Sequence, residues 1–187
     1  MPMTLKEMNA KAVAELTAVI DRIEPAQVEA LIVALDGAKR VALHGVGREG
    51  LMMKALAMRL HHMGLDAHVV GDMTTPPIGA GDMLLVSAGP GAFSTVAALM
   101  DVARRAGATT ACFTAQPAGA VPSEADLVVV LPAQTMANDT AGPTSFLPMG
   151  SLYEGAQFLF YEYLILLLAE HKGVAPARMR ARHTNLE

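Results

Sequence analysis

The chain is predicted to adopt an α/β fold, a three-layer α/β/α arrangement around a five-stranded parallel sheet with flavodoxin-like strand order. Three observations predict it. Five short runs, RVALH, DAHVV, MLLVS, TTACFT and DLVVVLP, most of them continuously apolar, are interleaved with helix-patterned segments, as expected of strands covered on both faces. The first and third runs feed glycine-rich loops, HGVGREG at 44–50 and SAGPGAFST at 87–95, each of which leads into a helix start. The length of 187 residues suits one core and one domain rather than two. That single domain divides into N-terminal helices over 1–36, a sheet core over 40–132, and C-terminal helices with a tail over 150–187.

Each element has a local signal. Thr4-x-x-Glu7 is a capping box that opens a helix expected to run to about Ile23, and Pro25 starts a second reaching about Leu35. After RVALH a helix is expected over Glu49 to Met63, and after MLLVS another over Ser94 to Arg105. The stretch AQTMANDTAGPTSFLPMG beyond Pro132 is too long for a simple connection and reads as a site loop. Ser151-x-x-Glu154 forms the pattern of a second capping box before a long apolar helix to about His171; a short helix and the tail RHTNLE follow.

Composition narrows the function. Hydrophobic residues make up 52% and charged residues 17% of the chain, so part of its apolar surface is expected to be buried against partners. A net charge of −4 with no basic run argues against nucleic acid or an anionic membrane as partner. The lone cysteine, Cys112, lies in an apolar run and excludes disulfide frameworks and cysteine-rich metal sites. The N-terminal MPMTLKEMNAK lacks an apolar signal core, so a cytoplasmic location is expected. The run FLFYEYLILLLA carries Glu162 and is shorter than the about 20 residues needed to span a bilayer. It is expected to be a core or interface helix.

In open parallel sheets ligands bind beyond the carboxyl ends of the strands where strand order reverses. Both glycine loops lie there, and the helix N-terminus behind each attracts anions. GVGREG has the spacing of a dinucleotide fingerprint, and Asp72 stands near the place of a ribose-binding acid. The chain nevertheless has no room for a hydride-acceptor domain, and the same glycines serve close packing of helix on sheet. His44, His61, His62, His68 and Asp72 lack any recognised metal-ligand spacing, so no metal is expected. Arg48, inside the first loop, is suited to gripping a carboxylate or phosphate.

Taken together, GVGREGLMMKALAMRLHHMG, TPPIGAGDMLLVSAGPG, PMGSLYE and the terminal RHTNLE resemble the 6-phospho-3-hexuloisomerases of the sugar isomerase (SIS) domain family over nearly the whole chain. The resemblance implies a homotetramer with sites shared between subunits, no cofactor, and movement of a carbonyl along a sugar phosphate through an enediol. It implies Glu154 as the base and His62 as a proton shuttle that can belong to a neighbouring subunit's site. Arg48 also matches the family, and the candidate ligand-binding set over the two loops is Gly47, Arg48 and Glu49 of the first with Ser87, Gly89, Gly91, Ser94 and Thr95 of the second. The chain departs from the pattern at Glu49, where the family has serine, and over Ala88 to Phe93, where the family has Ser-Gly-Ser-Gly-Glu-Thr. These departures leave room for a non-phosphorylated hydroxy-ketone or keto acid as substrate, or for a non-catalytic module that binds sugar phosphate.

Overall fold

In a computed structural model, which describes residues 3–140, 142 and 144–186, the fold is α/β with a five-stranded parallel sheet. The helices are α1 (Leu5–Ile20), α2 (Pro25–Gly37), α3 (Gly47–Met63), α4 (Ser94–Arg105), α5 (Ser151–Lys172) and α6 (Pro176–Ala181); the strands are β1 (Val41–His44), β2 (Ala67–Val69), β3 (Met83–Ser87), β4 (Thr109–Thr114) and β5 (Leu127–Val130). The strand order is β2-β1-β3-β4-β5, every pair parallel. The order reverses between β1 and β3, which puts both glycine loops at one crevice.

Strand alternation sorts side chains to two apolar layers. Val41, Leu43, Met83, Leu85, Ala111 and Phe113 face the layer built with α3 and α5, while Ala42, Leu84, Val86 and Cys112 face α4 through Val96, Met100 and Ala103. The same phase decides two polar residues. Ser87, in step with Leu85, points toward α5, whereas His44 is in step with Ala42 and leaves the α5 side. Burial pushes the Cys112 thiol up to about 12, so it packs as a small hydrophobe.

The first capping box forms as expected, Thr4 and Glu7 binding each other's backbone N–H. The second does not: α5 has Gly150 at its N-cap and no side-chain capping bond, and Ser151 is its first helical residue. Glu154 is thereby free of the capping role its spacing suggested. The helix α1 ends at Ile20 rather than about Ile23, and α3 begins at Gly47 rather than Glu49, entered through the left-handed φ of +59° at that glycine. Among the described residues α5 alone is long and apolar enough to cross a membrane, but half of its most apolar stretch is buried inside the protein. It is the central helix of the larger apolar layer, burying Phe160, Tyr161, Leu164, Ile165 and Leu168.

Candidate active site

A cavity of about 350 Å³ opens where the N-termini of α3 and α5 meet. The first loop contributes Gly47, Arg48 and Glu49, and the second contributes Pro90 and Phe93. Thr135, Met136, Pro148 and Met149 of the long loop close one side, and Ser151, Tyr153 and Glu154 of α5 close the other. Neither α3 nor α5 carries a side-chain cap, so first-turn N–H groups and two helix dipoles favour an anion at this end of the sheet.

Glycines make this convergence sterically feasible. A Cβ on Gly50 would lie 2.4 Å from the Gly45 carbonyl oxygen, so the first and third fingerprint glycines serve the close approach of α3 to β1. On Gly89 a Cβ would meet the Tyr153 ring at 2.7 Å and Glu49 Oε1 at 2.9 Å. The glycine spacing is thus accounted for by packing, without a dinucleotide.

Glu154 sits at the edge of this cavity with its side chain 15% exposed, and Arg48 Nε lies 2.6 Å from its Oε2. The approach is off the line of a hydrogen bond, leaving Oε2 buried without one. Because the Arg48 side chain is 67% exposed, the ion pair is screened and contributes at most about 1 kcal/mol. Arg48 therefore orients the carboxylate at little cost if a ligand displaces it.

Glu49 does not point at an incoming anion from the glycine loop. It is 7% exposed and turns under the second loop, where Oε2 accepts from Ser87 Oγ at 2.5 Å and from the Gly89 N–H at 2.9 Å. Burial pushes its carboxyl above the usual range; the two hydrogen bonds oppose this and the nearby Glu154 charge adds to it. Ser87 in turn accepts from Gln157 Nε2 at 2.7 Å and lies 3.3 Å from the Tyr153 hydroxyl. Gln157 also donates to the Tyr161 hydroxyl, which contacts Met53 Sδ. Burial raises both tyrosines well above their ordinary range, so they stay neutral and serve as hydrogen-bonding groups.

The structure thus brings together Gly47, Arg48, Glu49 and Glu154 and separates the other expected site residues. Ser87 and Gly89, expected to meet the ligand, are occupied by Glu49. Gly91 is buried against Gly119. Ser94 and Thr95 are exposed at the start of α4 and lie outside the cavity lining. His62 is at the far end of α3, about 21 Å along the axis from Arg48 at 1.5 Å per residue, with its ring 5.3 Å from that of His183. Nor does His44 line the cavity.

Residues with no sequence motif complete the site. Gln134, 3% exposed, accepts from the N–H groups of Thr144 and Ser145 at 2.7 and 3.0 Å and donates to the Met149 carbonyl at 2.9 Å. Met149 has a φ of 55°, the one left-handed non-glycine residue among those described. Such a conformation costs about 1–3 kcal/mol and persists where its surroundings hold it. Glu15 of α1 fixes the same loop by accepting from Ser145 Oγ and the Phe146 N–H.

The chain is 40% identical over 166 residues to a 3-hexulose-6-phosphate isomerase of Mycobacterium gastri, covering 89% of this chain and 83% of that one. The chain belongs to the 3-hexulose-6-phosphate isomerase family. A Bacillus subtilis member of the family is 37% identical over 143 residues, covering 76% of this chain and 77% of that one. A Methanococcus jannaschii protein, whose crystal structure led to the inference of 3-hexulose-6-phosphate isomerase activity, superposes with a TM-score of 0.82 at 25% identity, over 98% of this chain and all of that one. No protein-family model matches the chain. As a 3-hexulose-6-phosphate isomerase family member it is an isomerase, and its fold is that of the sugar isomerase (SIS) domain.

Proposed function

We propose that the protein interconverts 3-hexulose 6-phosphate and fructose 6-phosphate through a 2,3-enediol, with Glu154 as the base. The observation that carries this reading is the Glu154 carboxylate: released from helix capping, oriented by Arg48, and presenting a buried Oε2 without a hydrogen bond at the cavity. Oε2 is held there by the screened ion pair with Arg48 and has no hydrogen bond that a proton transfer would have to break. Glu154 removes the proton from C2 of the 3-ketose and returns it to C3. The helix N-termini and Arg48 favour the anionic phosphate and the developing enediolate. The relatives named above support the substrate class.

Glu154→Gln is expected to lower kcat by about 100-fold or more, the ordinary contribution of a positioned base, in a coupled assay that detects fructose 6-phosphate. A variant retaining parental turnover would remove Glu154 from that role.

A second reading has one observation in its favour. Glu49 already occupies the Ser87 hydroxyl and Gly89 N–H, and Pro90 and Phe93 make the adjoining wall apolar, which suits a non-phosphorylated hydroxy-ketone. Competition of sugar phosphates against their unphosphorylated analogues separates the two; preference for the phosphate supports the first.

The protein is further proposed to act as a homotetramer. Leu51 and Met58, seven apart on α3, and Phe158 and Leu166, eight apart on α5, are 47–67% exposed, more apolar surface on adjacent helices than a monomer keeps without reason. His62 is buried within its own chain and does not reach the cavity there, so a part for it in turnover would require another copy's cavity.

A further inference from the structure

Moving a carbonyl between neighbouring carbons requires two proton transfers, one between the carbons and one between the oxygens. Glu154 accounts for the first. We infer that Glu49 is a second catalytic carboxyl group in the same cavity and carries the proton that passes between the oxygens. This inference rests on the isomerase reading above.

The hydrogen-bond pattern assigns its two oxygens different tasks. Gln157 N–H donates to Ser87 Oγ, and the Ser87 hydroxyl and Gly89 N–H both donate to Glu49 Oε2. With Oε2 taken up as a double acceptor, the exchangeable proton belongs on Oε1. Oε1 lies over Gly89, 2.9 Å from where a Cβ would be, and Glu49 is one of the residues that line the cavity. Burial raises this carboxyl above the usual range, the direction that favours holding and returning a proton. The groups acting on it are Glu154, Tyr153, Tyr161 and Gln157 from α5, Ser87 and Gly89 from β3 and its loop, and Cys112 from β4. The cation beside them, Arg48, is paired with Glu154.

The chemistry balances without an outside reactant. As Glu154 takes the proton from C2, the C2–H electron pair forms the C2=C3 bond, and the carbonyl π pair at O3 takes the proton from Glu49 Oε1. The enediol then loses the O2 proton to Glu49, the C2=O bond forms, and the C2=C3 pair takes the proton from Glu154 at C3. Both carboxyl groups end as they began.

Glu49→Gln keeps the side chain's shape and an acceptor for Ser87 and Gly89 but cannot carry the proton. With circular dichroism and a parental Tm below pH 4 as folding controls, kcat is expected to fall about 100-fold with KM little changed, and the alkaline limb of the pH profile is expected to disappear. A residue that merely joins the two loops would leave that profile unmoved. A second measurement is independent of turnover: by ¹³C-carboxyl NMR, Glu49 should titrate above the exposed carboxylates, and its midpoint should fall in Glu154→Gln. Parental kcat and pH profile in Glu49→Gln would overturn the inference, as would titration of Glu49 among the exposed carboxylates. Loss of turnover in His62→Gln but not in Glu49→Gln would also overturn it, giving the relay to another copy's histidine. Should the parent fail to convert any hexulose phosphate, the isomerase reading falls, and the NMR titration still decides whether Glu49 holds a proton near neutrality.

Discussion

At Gly89 replacing one hydrogen by a methyl group would be felt on both sides of the site, because the methyl meets the Tyr153 ring and Glu49 Oε1 inside 3 Å. Overpacking of this kind costs about 1–3 kcal/mol, so Gly89→Ala is expected to lower Tm and reduce activity, read by calorimetry and by the coupled assay. Glu49 makes a prediction of opposite sign. Its carboxyl is raised in the folded state, so its stabilising contribution is full below the unfolded value near 4.5 and is lost as pH rises through the folded one. Glu49→Gln should therefore unfold at a higher temperature than the parent at pH 8, with the difference vanishing below pH 4. Arg48, Glu49 and Glu154 were legible in the sequence because they sit in short motifs with a known place beside a loop or helix start. Tyr153, Gln157 and Gln134 were not, because an inward polar side chain has no local signature. Their roles come from partners brought close by the fold: Gln157 meets Ser87, 70 residues away.

Among the elements, the long loop before α5 departs most from what a local reading can supply. Its sequence announces an irregular segment of functional length, yet not that Gln134 and Glu15 pin it or that Met149 takes a left-handed turn into α5. Replacing Gln134 by Ala removes the partner of the Thr144 and Ser145 N–H groups and the Met149 carbonyl; Ser145 is the buried one of the three, and its unpaired N–H costs about 1–3 kcal/mol. Limited proteolysis is expected to cut this loop faster in Gln134→Ala, and kcat to fall as the proposed base Glu154 loses its fixed position. Equal cleavage rates would deny the loop this anchor. The Ser151-x-x-Glu154 spacing shows why a motif alone was ambiguous: the same four residues satisfy a capping box, and Gly150 at the N-cap with the backbone at Met149 decides against it. By contrast the strands and the helix over Ser94–Arg105 follow the expected bounds closely, since continuous apolar runs and amphipathic spacing depend on near neighbours.

Across the whole molecule, the parallel sheet with its order reversal between β1 and β3 brings two helix N-termini and two carboxyl groups to one cavity. Strand alternation then sends Ser87 to the side where α3 and α5 can use it. The same architecture leaves apolar side chains outward on α3 and α5. Light scattering is expected to give a tetramer for the parent, and Phe158→Glu with Leu166→Glu to shift it toward smaller species; an unchanged mass would place the contacts elsewhere. The central claim is that Glu154 moves a proton between C2 and C3 of a phosphorylated 3-ketose. It is tested most directly by incubating the purified protein with 3-hexulose 6-phosphate in deuterated water and following fructose 6-phosphate by NMR. Formation of fructose 6-phosphate carrying solvent deuterium at C3, absent with Glu154→Gln, is the predicted result. No product from the parent, or undiminished product from Glu154→Gln, would contradict it.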